Sequence, residues 1–481
     1  MATSRHRLAH NDSGCNLRAV EEAPTLDRVD TGRSAAGDPA GGVTVTPLVA
    51  GTGATTPPLP PPPAPSTDGG GTPPRKRKPS VGQTFASLRI RDFRYLALST
   101  LAAGFGQWAK QLALFALVYE MTGSAVQLGT VAAFRGGVGT LIAPYGGYLS
   151  DRFSRRYVVI LSTLLDAGLA GALAILVILG EHELWHVYVI AFGGGLAQSI
   201  NQPARQAFVY DVTTDETLPN AIAVNSMVQN VARVTGPAGI GVMMAAWGIA
   251  SALIALVVLQ FLAIVATLRI SHVTRQARMV SGTRALTMMR EGFEYCWQDR
   301  RILGLVVIGA IPSLLVYPYM PFLKVVSEEV LDKGNTGYGM LSSMMGWGSL
   351  VGLLALAVVG NARHQGRLMI GGYLVYAGML AVFAWSSNYI LSLTILAVAG
   401  VFHSVATTLH NTLLLQMGPA EMRGRVMAVN QMAQGLQPLG SFPMAFAVAA
   451  FGVQTGIGSF MVAATIAFAL FGIVWVSVRR L

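Results

Sequence analysis

Asp166 is the only acid well inside a long apolar run of this chain, and three bases, Lys110, Arg135 and Arg233, lie inside other such runs. A charge placed in hydrocarbon costs about 2.5–3.5 kcal/mol on insertion scales, so a carboxylate and a base found there are expected to pair. A single carboxylate with several competing bases can exchange partners, and its hold on a proton then depends on which base is near. That is the chemistry of proton coupling, and it makes Asp166 the candidate coupling group. A fixed ion pair tying two helices together would use the same residues, and the sequence leaves both readings open.

Gln107 and Gln111 share the run of Lys110, and Asn225 shares that of Arg233. With Lys110, Arg135 and Arg233 they form the candidate substrate cavity. Lys110 and Arg233 leave an excess of positive charge, which favours an anionic or zwitterionic small molecule; a base that snorkels to an interface would remove that excess. His403 and His410 share a further run, where packed or hydrogen-bonded histidines are commoner than ligands. No Walker-type phosphate loop and no nucleophile–base set is present, so neither ATP-driven transport by this chain nor an enzyme is expected. Cys15 and Cys296 are far apart and have no metal-ligand company. No metal and no cofactor are expected, the proton gradient supplying the energy.

The elements that must position these residues are membrane spans. The chain has 481 residues, 52% hydrophobic and 12% charged, against about 25% charged in soluble proteins. A net charge of +11 would suit a nucleic-acid binder too, but the arginines fall in short gaps between apolar runs, so no nucleic-acid partner is expected. Twelve runs are long enough to cross about 30 Å of hydrocarbon. They cover roughly 95–119, 126–148, 157–179, 187–209, 221–246, 248–270, 302–324, 338–360, 367–386, 388–412, 425–449 and 454–477.

Charge places the ends. One set of loops carries Arg89, Arg91 and Arg94; Arg152, Arg155 and Arg156; Arg205; Arg275 to Arg301; Arg363 and Arg367; Arg423 and Arg425; and Arg479 and Arg480. The other carries Glu120, Glu181, Glu183, Glu328, Glu329 and Asp332. The positive-inside rule assigns the basic set to the cytoplasm, with both termini there and the chain in the cell (inner) membrane.

Residues 1–84 read as a disordered Gly/Pro-rich cytoplasmic tail with no visible secretory signal peptide. The tail ends in Arg75-Lys76-Arg77-Lys78, which suits anionic lipid or, alternatively, a nucleic-acid patch. A six-helix half follows at 85–270, then a basic cytoplasmic linker at 271–301, then a second six-helix half at 302–481. Leu286, Met289, Phe293 and Trp297 give the linker an apolar stripe, which suggests a helix lying on the membrane surface; a plain flexible linker is the alternative. Ala223-Val224-Asn225-Ser226-Met227 and Ala428-Val429-Asn430-Gln431-Met432 match at an offset of 205 residues, as two related halves would. Gly236-Pro237 in the fifth run supplies close packing and a lost backbone hydrogen bond, hence a place to bend.

Several stretches together resemble the major facilitator superfamily, in its bacterial drug and siderophore exporter branch (macrolide-efflux-like and enterobactin-exporter-like proteins). They are Arg91-Asp92-Phe93-Arg94, Tyr119 to Ser124, Gly147 to Arg156, Pro203 to Ala207, Leu218 to Asn225, Gly236-Pro237, Thr336 to Gly339 and Arg423 to Met427. The resemblance covers about 89–478. It implies an all-α fold of twelve transmembrane helices in two six-helix halves around a central cavity between the halves, working by alternating access. It further implies that Gly147, Asp151, Arg152 and Arg155 latch the inner gate, with Asp151 docking near Arg425. Many relatives carry an acid after the glycine of the first span, where this chain has Gly106-Gln107-Trp108, which shifts the expected proton site to Asp166. The expectation is a proton-coupled exporter of a small amphipathic compound, monomeric, with membrane lipids as its other partners. The alternatives are a lysophospholipid carrier and a membrane sensor or scaffold.

Overall fold

The computed structural model describes residues 86–481 apart from 215, 272–281, 360–363, 418, 420–421 and 480, and no side chains at 86, 144, 147–148, 151, 282–289 or 359. The tail expected at 1–84 lies outside the described residues. Everything ordered among the described residues is helix. The first half comprises span 1 (Arg91–Thr122), span 2 (Ala125–Arg152), span 3 (Arg155–Leu179), span 4 (Leu184–Asp211), span 5 (Leu218–Trp247) and span 6 (Ile249–Leu268). A linker helix, Gly282–Gln298, leads to the second half. There follow span 7 (Arg300–Val330), span 8 (Gly334–Val359), span 9 (Gln365–Ala384), span 10 (Tyr389–Met417), span 11 in two pieces (Arg423–Gln434 and Gln437–Phe451) and span 12 (Val453–Val474).

Eight of these helices cross a membrane by length and apolar content alone: spans 2, 3, 6, 7, 8, 9, 10 and 12. Of the other four, span 11 is broken in two, and spans 1, 4 and 5 carry the polar residues that line the site described below. Span 7 changes winding at Pro312 and at Tyr317, because Pro312, Pro318 and Pro321 have no N–H to give to the helical ladder.

The two halves repeat one another in their turns. Gly248 (φ 76°) separates spans 5 and 6, and Gly452 (φ 80°) separates spans 11 and 12. Only glycine takes this left-handed conformation without a steric cost. The arginine-rich ends of the spans form one face of the bundle, the basic side; Glu120, Glu328 and Glu329 lie at the other, the acid side.

The halves meet through spans 5 and 8 and spans 2 and 11. A Cβ on Gly339 would stand 2.4 Å from Pro237 O, and one on Gly129 would stand 2.3 Å from the Ala445 Cβ. Small residues therefore bring the backbones together, as membrane helices require. Ala238 N donates to Ser343 Oγ at 2.7 Å, and Thr140 Oγ1 donates to Gly435 O at 3.1 Å. At the acid side Tyr119 donates to Glu329. Buried Lys324 pairs with Glu328 at 2.7 Å and Glu120 at 3.7 Å and also donates to Asn335 Oδ1 at 2.8 Å. All of these contacts except the Thr140–Gly435 bond lie toward the acid side and close the bundle there.

Candidate functional site: a polar cavity in the first half

Spans 1, 3, 4, 5 and 6 surround a cavity of about 290 Å³. All of its lining residues belong to the first half. Small residues on neighbouring spans, among them Ala103, Gly104, Ala197 and Ala232, leave this space unfilled.

Asp166 of span 3 lies on its wall. Lys110 Nζ of span 1 donates to Asp166 Oδ1 at 2.7 Å, and the two side chains are only 4% and 8% exposed. Gln260 Nε2 of span 6 donates to Oδ2 at 2.9 Å. Gly194 of span 4 gives the pair its room, since a Cβ there would stand 3.3 Å from the Lys110 Nζ. Of the three bases the sequence offers to Asp166, the structure pairs it with Lys110. Arg135 Nη2 donates instead to Gln198 Oε1 at 3.0 Å, which also accepts from Gln107 Nε2 at 2.9 Å. Arg233 lines the cavity and makes no ion pair among the described residues. Gln107, Gln111 and Asn225 line it as well; Arg135 is joined to it only through Gln198.

Arg205, grouped above with the loop arginines, lies within span 4, only 7% exposed, and lines the cavity. Its Nε donates to Asn201 Oδ1 at 3.2 Å and its Nη1 to Ser99 Oγ at 2.8 Å. Asn201 in turn donates to Ser162 Oγ at 2.8 Å and Thr163 Oγ1 at 3.0 Å. Sequence reading missed Arg205, Asn201, Gln198 and Gln260. Gln260 could have been found, as the one amide in a span otherwise made of apolar, small and hydroxyl side chains.

The second half carries the same plan with less charge. Asn430 is fully buried and shares a 3.1 Å hydrogen bond with His410 Nε2. The 205-residue offset that relates Asn430 to Asn225 also relates His410 to Arg205. It sets Leu315 against Lys110 and Gly371 against Asp166, so the ion pair has no counterpart there. His403 shares a 3.1 Å hydrogen bond with Tyr317.

Of the latch residues, Gly147 falls within span 2, and the Asp151 side chain lies outside what is described. Arg155 pairs with Asp211 at 2.6 Å, tying spans 3 and 4, and the Arg152 guanidinium lies 5.9 Å from the Phe153 ring. Arg425 pairs with Glu291 of the linker helix at 2.6 Å. On that helix Phe293 and Trp297 are exposed and Cys296 is buried; the side chains of Leu286 and Met289 lie outside the described residues. Gly236 faces Trp108 and Phe105 of span 1, and span 5 runs through Pro237 as one helix.

Two related six-helix halves, the first holding a polar intramembrane cavity, define a secondary-transporter architecture. The chain belongs to the transmembrane secretion effector family of the major facilitator superfamily, whose family model matches residues 82–479. It is 22% identical to the staphyloferrin A transporter of Staphylococcus aureus, over 75% of this chain and 90% of that one. It is 25% identical to the multidrug efflux pump Tap of Mycolicibacterium fortuitum, over 72% and 86%. A solved peptide transporter POT superposes with a TM-score of 0.67 at 11% identity, covering 83% of this chain and 99% of that one. The protein is therefore a multi-pass membrane transporter of the major facilitator fold and not an enzyme.

Proposed function

We propose that this transporter exports a small amphipathic compound from the cytoplasm across the cell membrane, driven by inward movement of protons. The positive-inside rule supports a cytoplasmic basic side, and the contacts at the acid side then close the transporter toward the outside. The observation that carries the reading is the buried Lys110–Asp166 pair on the wall of a polar cavity, in a chain whose relatives are named as efflux proteins.

Coupling follows from competition for one carboxylate. Asp166 holds Lys110 and Gln260 when ionised. A proton on Asp166 removes its charge and releases both donors. A substrate group that donates to the ionised carboxylate loses its acceptor when the proton arrives. Substrate and proton then occupy the site in turn, as exchange requires. Gln107, Lys110, Gln111, Asn225 and Arg233 line the path, Arg135 tunes it through Gln198, and the closure at Tyr119, Glu120, Lys324 and Glu329 opens to release substrate. Asp151 and its arginines latch the opposite gate.

The test is accumulation of labelled compounds in efflux-deficient bacteria carrying the intact chain or Asp166→Asn at matched membrane expression, with and without an uncoupler. The expected result is lowered accumulation of at least one compound, abolished both by the substitution and by the uncoupler. Export that persists in Asp166→Asn refutes the coupling role, and a panel with no exported compound refutes drug-type export.

A further inference from the structure

The charges around the cavity do not balance. Its lining holds three cations, Lys110, Arg205 and Arg233, and one carboxylate, Asp166, and that carboxylate is committed to Lys110. Arg205 is the cation most deeply withdrawn without a counter-charge. It is 7% exposed, its Nε and Nη1 are held by the neutral Asn201 and Ser99, and its Nη2 has no hydrogen-bond partner among the described residues. Removing a guanidinium from water without an opposing charge costs several kcal/mol, and ordinary packing at this position would be served by an apolar side chain.

The groups around it are arranged to aim the fork rather than to neutralise it. Ser99 is anchored on span 6 by a 3.0 Å bond to Ala263 O, and Asn201 on span 3 by its bonds to Ser162 and Thr163. Thr163 stands one helical turn from Asp166 on span 3, so Arg205 and the ion pair occupy separate stations of one slot.

We propose that Arg205 anchors an oxyanion, a carboxylate or phosphate head, of the amphiphile this protein transports, and so sets its preference for anions over cations. The inference rests on the transport reading above and assigns the other end of the substrate to the Asp166 station. The planar guanidinium suits the two oxygens of such a head, which would supply the missing counter-charge.

The test is binding by the purified full-length chain in lipid nanodiscs, read as the shift in thermal unfolding with added ligand, without a proton gradient. The probes are octanoate, octyl phosphate and oleoyl lysophosphatidate, with octyltrimethylammonium as the cationic control. The expected result is saturable stabilisation by at least one oxyanion and none by the cation. Arg205→Gln should weaken the oxyanion by about tenfold or more, the scale of a charge-assisted hydrogen-bonded contact, and Arg205→Lys, which keeps the charge but not the planar fork, should fall between Arg205→Gln and the wild type while still preferring the oxyanion to the cation. Preference for octanoate and octyl phosphate points to a small soluble amphiphile, and preference for lysophosphatidate to a lipid head; both fit the shared chemistry. Equal stabilisation by the cation, or unchanged oxyanion affinity in Arg205→Gln that still unfolds cooperatively, overturns the proposal. If Arg205→Gln does not fold, the wild-type anion–cation comparison and Arg205→Lys decide it. Oxyanion binding without export from cells tells against the exporter reading alone, whereas export without oxyanion preference tells against Arg205 alone.

Discussion

Alanine at Gly339 should loosen the acid-side closure. A Cβ there would stand 2.4 Å from Pro237 O and 2.7 Å from Gly241 Cα, whereas ordinary contact begins at 3.4 Å. Spans 5 and 8 would have to part by about 1 Å along the closer line. Both opposing atoms are backbone, so no side-chain rotation relieves the clash. Overpacking of this kind costs about 1–3 kcal/mol. Opening of the acid side separates the two spans and removes the cost, which therefore falls on the closed state. The equilibrium should move toward the open state by about 5- to 150-fold. Gln111 lines the cavity, so a Gln111→Cys label in a Cys15→Ser, Cys296→Ala chain reports the opening. An impermeant maleimide presented from the acid side should react at least about fivefold faster when Gly339→Ala is added, because the rate follows the open population. Unchanged labelling with an unchanged melting temperature would refute the reasoning, since the clash would then be absorbed within one span and the glycine contact would not hold the closure.

Two further outcomes follow from burial. Asp166→Leu alone leaves Lys110 buried without its counter-charge and should cost about 3–5 kcal/mol, most of it recovered by adding Lys110→Met; equal melting temperatures for the single and double variants would argue against a structurally isolated pair. Cys296 is 2% exposed, and burial, then the neighbouring Asp299 carboxylate, push its thiol pKa up. In a Cys15→Ser chain, N-ethylmaleimide should label it slowly near neutral pH and faster only above the ordinary thiol range, as the thiolate forms; rapid labelling at neutral pH would mean that the linker helix undocks.

The membrane spans and the two-half plan were legible in the sequence because they rest on local quantities. An apolar run of sufficient length must cross the bilayer as a helix, whatever surrounds it. The repeated Ala-Val-Asn stretch marked corresponding helices, and both asparagines are buried in the structure. Asp166 stood out for the same local reason, as an acid that hydrocarbon would not tolerate alone.

Which base would meet Asp166 could not be read from the chain. Lys110, Arg135 and Arg233 were equivalent candidates by composition, and the choice of Lys110 depends on the side-by-side placement of spans 1, 3 and 4 and on the room left by Gly194. Gln198 drew Arg135 away by a hydrogen bond that no spacing rule encodes. Arg205 was grouped with the basic loops because it lies six residues from the end of its helix, at Asp211, and only the packing of Ser99 and Asn201 around it makes it an interior cation. The sequence by itself determined a twelve-span carrier with one intramembrane acid, since insertion energies act on each segment alone. The tertiary structure decided where this cavity lies, which charges are paired and which cation is left without a counter-charge, since those depend on distances between side chains far apart in the chain.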